Sequence, residues 1–226
     1  MQTVTIGVVI VLAVGVDTQY CLVVPVDRDG LHLRNAVHWL DRRGGRHLGA
    51  IRGGHPRVMG FNAGRLYQWV RRTGIAPIGG VSTLTHMLFI KHELPDIYER
   101  THAFLEPMDY LTGRVTGRVS ATQQTSALMM VVSNRKWSET EYDPQLLKMA
   151  GLDRDKFAPL LPNNGVVGPL KNDVARELGL KLETPVTVGI WDTHGEAVGA
   201  GAVNHCEGVL YIGTTLSLVF QEKIKK

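Results

Sequence analysis

The chain has 226 residues, a formal net charge of +4 at pH 7, 44% hydrophobic residues and 20% charged ones. This is the balance of a globular protein able to bury a substantial core, and it excludes a disordered chain or a strongly basic nucleic-acid binder. The one tight basic group, Arg42-Arg43 with Arg46 and His47, is interrupted by glycines; it reads as a solvated loop, with steering of an anionic ligand as the second reading.

Residues 6–16 form an apolar run well short of the ~20 residues a spanning helix needs. No Lys or Arg precedes it, so it is predicted to be a fully buried strand rather than a signal peptide or a membrane segment. Extended runs at 21–26 and 31–33 flank Asp27-Arg28-Asp29-Gly30, the pattern of a β-hairpin. A loop carrying Trp39, Asp41 and Arg43 then leads through a glycine-rich passage to Gly60. Asn62 is placed to cap a helix with Ala63, Leu66, Tyr67 and Val70 on its apolar face and Gly74 just past its end. Ser82 caps a second helix, carrying Leu84, Met87, Leu88 and Lys91, which closes before Pro95. Pro95 opens a short helix that ends near His102.

The tandem Thr-Gly-Arg-Val repeat at 112–119 reads as a helix end, a turn and a short strand. Ser138-Glu139-Thr140-Glu141 has capping-box spacing and precedes a helix with Leu146, Leu147 and Met149, stopped by Gly151. A further helix is predicted at 172–178, with Gly179 as its cap. Strands follow at 186–190 and 208–212, with a small-residue helix at 195–201 between them, and 216–220 forms a hairpin with 208–212. No linker-like tract divides the chain, which is expected to be one domain over 1–226. Cys21 and Cys206 lie far apart with no metal-type or CxxC spacing. They are read as two small buried thiols of a reducing, cytoplasmic setting, with no metal site.

Most of the chemistry is carried near the carboxyl end. Gly189-Ile190-Trp191-Asp192 and Tyr211-Ile212-Gly213-Thr214-Thr215 each read as a strand ending in a tight, small-residue turn. The first presents a carboxylate; the second presents backbone amides and hydroxyls able to nest an anion. Open α/β sheets bind ligands at the carboxyl ends of their strands. A lone acid beside such a cradle suits phosphoryl transfer to an alcohol. The plainer readings are a helix-capping Asp192 and an ordinary β-turn at Gly213. Neither GxGxxG after the first strand nor GxSxG is present, which argues against a dehydrogenase and a serine hydrolase.

Further markers occur in a fixed order: Asp17-Thr18-Gln19, the Asp27–Gly30 turn, Trp39-x-Asp41-x-Arg43, the stretch from Met87 to Glu93, and Pro107-Met108-Asp109-Tyr110-Leu111. Thr116-Gly117, Trp137-Ser138, Gly151-Leu152-Asp153, Gly189-x-x-Asp192, Gly199-Ala200-Gly201 and Ile212-Gly213-Thr214-Thr215 continue the series. With this set, residues 14–220 resemble the amino-terminal domain of the FGGY family of carbohydrate kinases, nearest to its xylulokinase-like members. The resemblance implies an α/β, actin-like, ribonuclease-H-related fold, a mixed sheet flanked by helices. It also implies two domains clasping sugar and ATP, with Mg²⁺ accompanying the nucleotide.

On that resemblance Asp192 is the general base. Gln19, Trp39, Asp41, Arg43 and Asp109 are substrate-side residues, and Gly213, Thr214 and Thr215 form a phosphate-binding turn. Departures stand at His86 and Phe89 in place of Lys and Trp, at Met108 in place of Lys, at Gln123 in place of an acid, and at Tyr20-Cys21 in place of Met-His. They loosen the link to xylulose itself and leave a sugar or polyol as the expected substrate, with no nucleic-acid or membrane partner. The family's first phosphate motif and its second domain have no counterpart in the sequence. The chain is therefore expected to be a fragment truncated at both ends, with little or no kinase activity alone, and to oligomerise or be complemented by a second kinase half. The competing expectations are a non-catalytic sugar-binding relic and a gene fragment without function of its own.

Overall fold

The computed structural model describes residues 10–77, 80–213 and 216–220. Its strands are short and pair two by two among the described residues, with parallel and antiparallel partners mixed. β1 (Asp17–Thr18) is followed by β2 (Val24–Val26), α1 (Leu48–Arg52), β3 (Arg57–Val58), β4 (Phe61–Asn62) and α2 (Ala63–Thr73). Next come α3 (Thr83–Glu93), α4 (Pro95–Arg100), β5 (Ala103–Leu105), α5 (Pro107–Thr116), β6 (Ala121–Thr122) and α6 (Pro144–Ala150). β7 (Leu160–Leu161), β8 (Val166–Pro169), α7 (Asn172–Glu177), β9 (Pro185–Thr187) and β10 (Ile190–Trp191) lead to α8 (Asp192–Gly199), β11 (Gly208–Ile212) and β12 (Leu216–Phe220).

The larger core gathers around α3. All of its residues from Thr83 to Ile90 are buried, and charge returns only at Lys91-His92-Glu93. A helix buried nearly all round belongs in the middle of a domain, and α3 shares one apolar cluster with the antiparallel β2–β5 pair. A second, small core joins Leu170, Ala175 and Val186, with Val14 and Val115 against them.

Helix ends follow the local chemistry. The Ser82 hydroxyl accepts from Thr85 N at 3.3 Å while Ser82 N donates to the Thr85 hydroxyl at 3.0 Å, a reciprocal capping box. Asn62 Oδ1 accepts from Arg65 N, and Gly74 ends α2 in the left-handed region at φ +84°. Pro95, Pro107 and Pro144 each open a helix, where the missing N–H costs nothing.

Several expectations are corrected. Of the run at 6–16, residues 6–9 lie outside the described residues, and Ile10 and Leu12 are 62% and 80% exposed. Its pairing among described residues begins only at Val14, whose N donates to Pro185 O at 2.9 Å. The buried face of α2 runs through Trp69 and Thr73, with Leu66 packed against the core as expected, whereas Tyr67 and Val70 face outward. Asp143, not Ser138, caps α6, because Pro144 fixes the first turn and the Asp143 carboxylate accepts from both Gln145 N and Leu146 N. Ser138 instead accepts from Asn163 N at 2.9 Å. The hairpin at Asp27–Gly30 closes, but its return pairs through a single bridge, Val26 to His32, while the strand partner of β2 is β5. The strand at 186–190 is two strands, β9 and β10, with different partners. The following helix starts at Asp192 and ends at Gly199. Both cysteines are free, and Cys206 is exposed rather than buried. No helix among the described residues is long and apolar enough to cross a membrane.

Candidate active site

β1 and β10 run parallel, with Asp17 opposite Ile190 and Thr18 opposite Trp191. Their carboxyl ends therefore emerge side by side, carrying Gln19-Tyr20-Cys21 from one strand and Asp192-Thr193 from the other. At this edge lies a cavity of about 520 Å³, within the size range of small-molecule sites. Gln19, Tyr20, Trp39, Asp192, Glu196 and Tyr211 contribute its polar and aromatic wall. Cys21, Val81 and Leu128 supply apolar surface. Asp192, Gln19 and Trp39, three residues expected to share a site, thus meet in one cavity.

Asp192 begins α8 and follows the N-cap position, which Trp191 occupies. Its Oδ1 accepts from Thr193 N at 2.7 Å, and the positive end of the helix dipole favours a carboxylate there. Tyr20 stacks on Trp191 with ring centroids 4.7 Å apart and planes 15° from parallel. On the other side His194 lies 5.2 Å from the Trp191 ring, and its Nδ1 is 3.1 Å from Gln124 Nε2. Burial, partly opposed by Asp192, lowers the His194 imidazole below its ordinary range. A neutral ring therefore bridges α8 to the turn after β6.

Asp17, Tyr20, Glu196 and Tyr211 were not among the expected site residues. The parallel register of β1 on β10 is what brings Asp17 near Asp192, and that pairing is not written in local sequence. The Asp17 carboxylate packs against Gly195, where no side chain could be added without displacing it. Its pKa is raised first by burial and then by the Asp192 charge. For Glu196 a signal existed: at four residues from Asp192 it shares that residue's helix face.

The other expected residues lie elsewhere. Asp41 and Arg43 are not among the residues lining the cavity. They form an ion pair at 2.5 Å, and the Arg43 hydrogen bond is the main cause holding the Asp41 carboxyl down to about 2. The Arg43 guanidinium stacks over Phe89 at 4.2 Å, while His86 Nε2 reaches Asp41 O at 3.1 Å. The two departures at His86 and Phe89 thus brace the loop that carries Trp39. Asp109 sits in the first turn of α5, buried, with Oδ2 lacking a hydrogen-bond partner. Burial pushes its carboxyl up to about 8, against a lowering hydrogen bond from Thr125. Gly213 lies just beyond β11 with the Tyr211 ring folded across it. Thr214 and Thr215 lie outside the described residues.

Glu106 braces the segment that follows β1. Its Oε2 accepts from Leu22 N at 3.1 Å, next to cavity-lining Cys21, and its Oε1 accepts from the Thr83 hydroxyl. Burial is the chief cause pushing this carboxyl up to about 8.

A mixed α/β domain whose strand-end carboxylate faces an aromatic cavity belongs to the class that seats its ligand at the carboxyl edge of parallel strands. Residues 2–199 match the family described as the FGGY family of carbohydrate kinases, N-terminal domain. The chain belongs to that family. Among similar proteins is a xylulose kinase of Bacillus subtilis (strain 168), 30% identical over 146 residues, which are 64% of this chain and 28% of the relative. An L-fuculokinase of Escherichia coli (strain K12) is 31% identical over 157 residues, 68% of this chain and 32% of the relative. The fold is shared with the ligand-bound xylulose kinase of Lactobacillus acidophilus, at TM-score 0.76 and 18% identity, covering 92% of this chain and 40% of that one. It is likewise shared with Plasmodium falciparum glycerol kinase with ADP, at TM-score 0.74 and 16% identity, covering 92% and 39%. The chain therefore spans less than half the length of these relatives.

Proposed function

We propose that this chain is the sugar-binding, N-terminal part of a carbohydrate kinase that phosphorylates a hydroxyl of a xylulose-like sugar or polyol. One observation carries the reading: Asp192, at the end of a parallel strand, shares a cavity with Gln19 and Trp39. In this reading Asp192 accepts the proton of the hydroxyl that attacks phosphorus. Gln19 hydrogen-bonds substrate hydroxyls, and Trp39 packs against the C–H face of the sugar. Asp41, Arg43 and Asp109 act from outside the cavity: the first two hold the Trp39 loop, and the third ties α5 to the turn after β6.

ATP with Mg²⁺ is the donor the family implies, supplying the transferred group and neutralising phosphate charge when bound. Among the described residues no three His, Cys, Asp or Glu are grouped to hold a metal ion, and no Lys or Arg lines the cavity. The described residues thus do not make the nucleotide side of the site. Phosphoryl transfer depends on charge stabilisation around the transferring group, so the isolated chain is expected to turn over little ATP. A non-catalytic sugar-binding module has one observation in its favour, the Tyr211 ring lying across Gly213.

Calorimetric titration with xylulose and related polyols, paired with an ATP-turnover assay, tests the reading. Sugar binding that weakens about tenfold in Trp39→Ala, with turnover near background, is the expected result. Absence of sugar binding contradicts the site, and robust turnover that survives in Asp192→Asn contradicts the role of the aspartate.

A further inference from the structure

Glu196 lies one helical turn beyond Asp192 on α8, and both side chains line the same cavity. Asp17 adds a third carboxylate nearby, packed against Gly195 of the same helix. The Tyr20 phenol, on a wall of that cavity, registers this field: burial raises its pKa first, and the Asp192 charge and then that of Glu196 add to the rise. The remaining polar and aromatic walls, Gln19, Trp39, Thr193 and Tyr211, carry no formal charge. Among the described residues no cationic side chain lines the space. Arg43, on the loop of Trp39, is committed to Asp41 and to the face of Phe89. A negative cavity walled by aromatic rings stabilises a cation and repels an anion.

Resting on the sugar-site reading above, we infer that Glu196 is a specificity-determining residue that makes the cavity prefer a sugar or polyol bearing a protonated amine and disfavour one bearing a carboxylate. Asp192 contributes to the same field, since accepting a hydrogen bond from the reacting hydroxyl leaves its negative charge in place. Glu196 is the group left to meet a second substituent. It is an exposed residue, so its field is partly screened by solvent and salt. The discrimination is therefore expected to be modest.

Titrating the full chain with xylitol, 1-amino-1-deoxyxylitol and xylonate, identical but for the substituent at one carbon, reads this directly. At low salt the amine binds most tightly and xylonate most weakly, each step about fivefold. The spread narrows at high salt and narrows again in Glu196→Gln, where only the Asp192 and Asp17 charges remain; this is a near-isosteric change on an exposed helix position whose fold is checked by circular dichroism. If xylonate binds as tightly as xylitol, or the spread persists unchanged in Glu196→Gln, the charge selection is wrong while the sugar site stands. If none of the three binds, both readings fall together.

Discussion

Glu106 and Asp109 stand three residues apart around the start of α5, and both are shut away from solvent. Each carboxyl is pushed up to about 8 by burial, so at neutral pH both hold their protons in the folded chain while the unfolded chain releases them. The sign follows from linkage: a raised folded pKa gives stability that is full below the unfolded value and is lost as pH rises through the folded one. For Asp109 the window runs from its ordinary value of 3.8 to about 8. Within that window the slope is about 1.4 kcal/mol per pH unit for each such group. Asp109→Asn mimics the protonated acid and removes one group's share of the slope. Thermal melts between pH 5 and 9 should show the variant gaining on the parent as pH rises; parallel curves would mean that Asp109 is not proton-bound in the fold. His194 works in the opposite direction, since burial lowers its pKa and folding disfavours its charged form, so its contribution fades as pH falls.

Among the elements, α2 separates what the amino-acid sequence discloses from what it conceals. Its ends were legible: Asn62 and Gly74 cap it as local chemistry requires. Its buried face was legible only in part: Leu66 packs against the core, but Tyr67 and Val70 are exposed, and only tertiary contact selects Trp69, which has no exposed surface. Trp69→Ala is expected to cost about 3–5 kcal/mol in chemical denaturation, whereas Val70→Ser stays within about 0.5 kcal/mol. Similar losses for both would place the face wrongly. α3 was legible for the opposite reason, since its residues from Thr83 to Ile90 are buried whichever side is chosen. The run leading into β1 misled because periodicity reports that a segment is apolar, not whether a neighbour covers it; Ile10 and Leu12 are left exposed. The site was legible where it follows a strand end, at Gln19 and Asp192. It was hidden where it depends on which strands pair, at Asp17, or on how a side chain folds back, at Tyr211.

At the scale of the whole molecule, the parallel pairing of β1 with β10 joins segments more than 170 residues apart in sequence and creates the cavity edge. The Trp39 loop reaches the same edge because His86 and Phe89 on α3 hold its base. The four tryptophans report on this arrangement from different places: Trp39 lines the cavity, Trp191 stacks beneath Tyr20, Trp69 is buried in α2 and Trp137 is exposed. Their indole N–H resonances, followed by NMR while xylulose is added, test most directly whether this cavity is the sugar site. The account predicts saturable shifts at Trp39 and Trp191, with Trp69 and Trp137 unmoved. Shifts confined to Trp69 or Trp137, or no shift at any of the four, would contradict it.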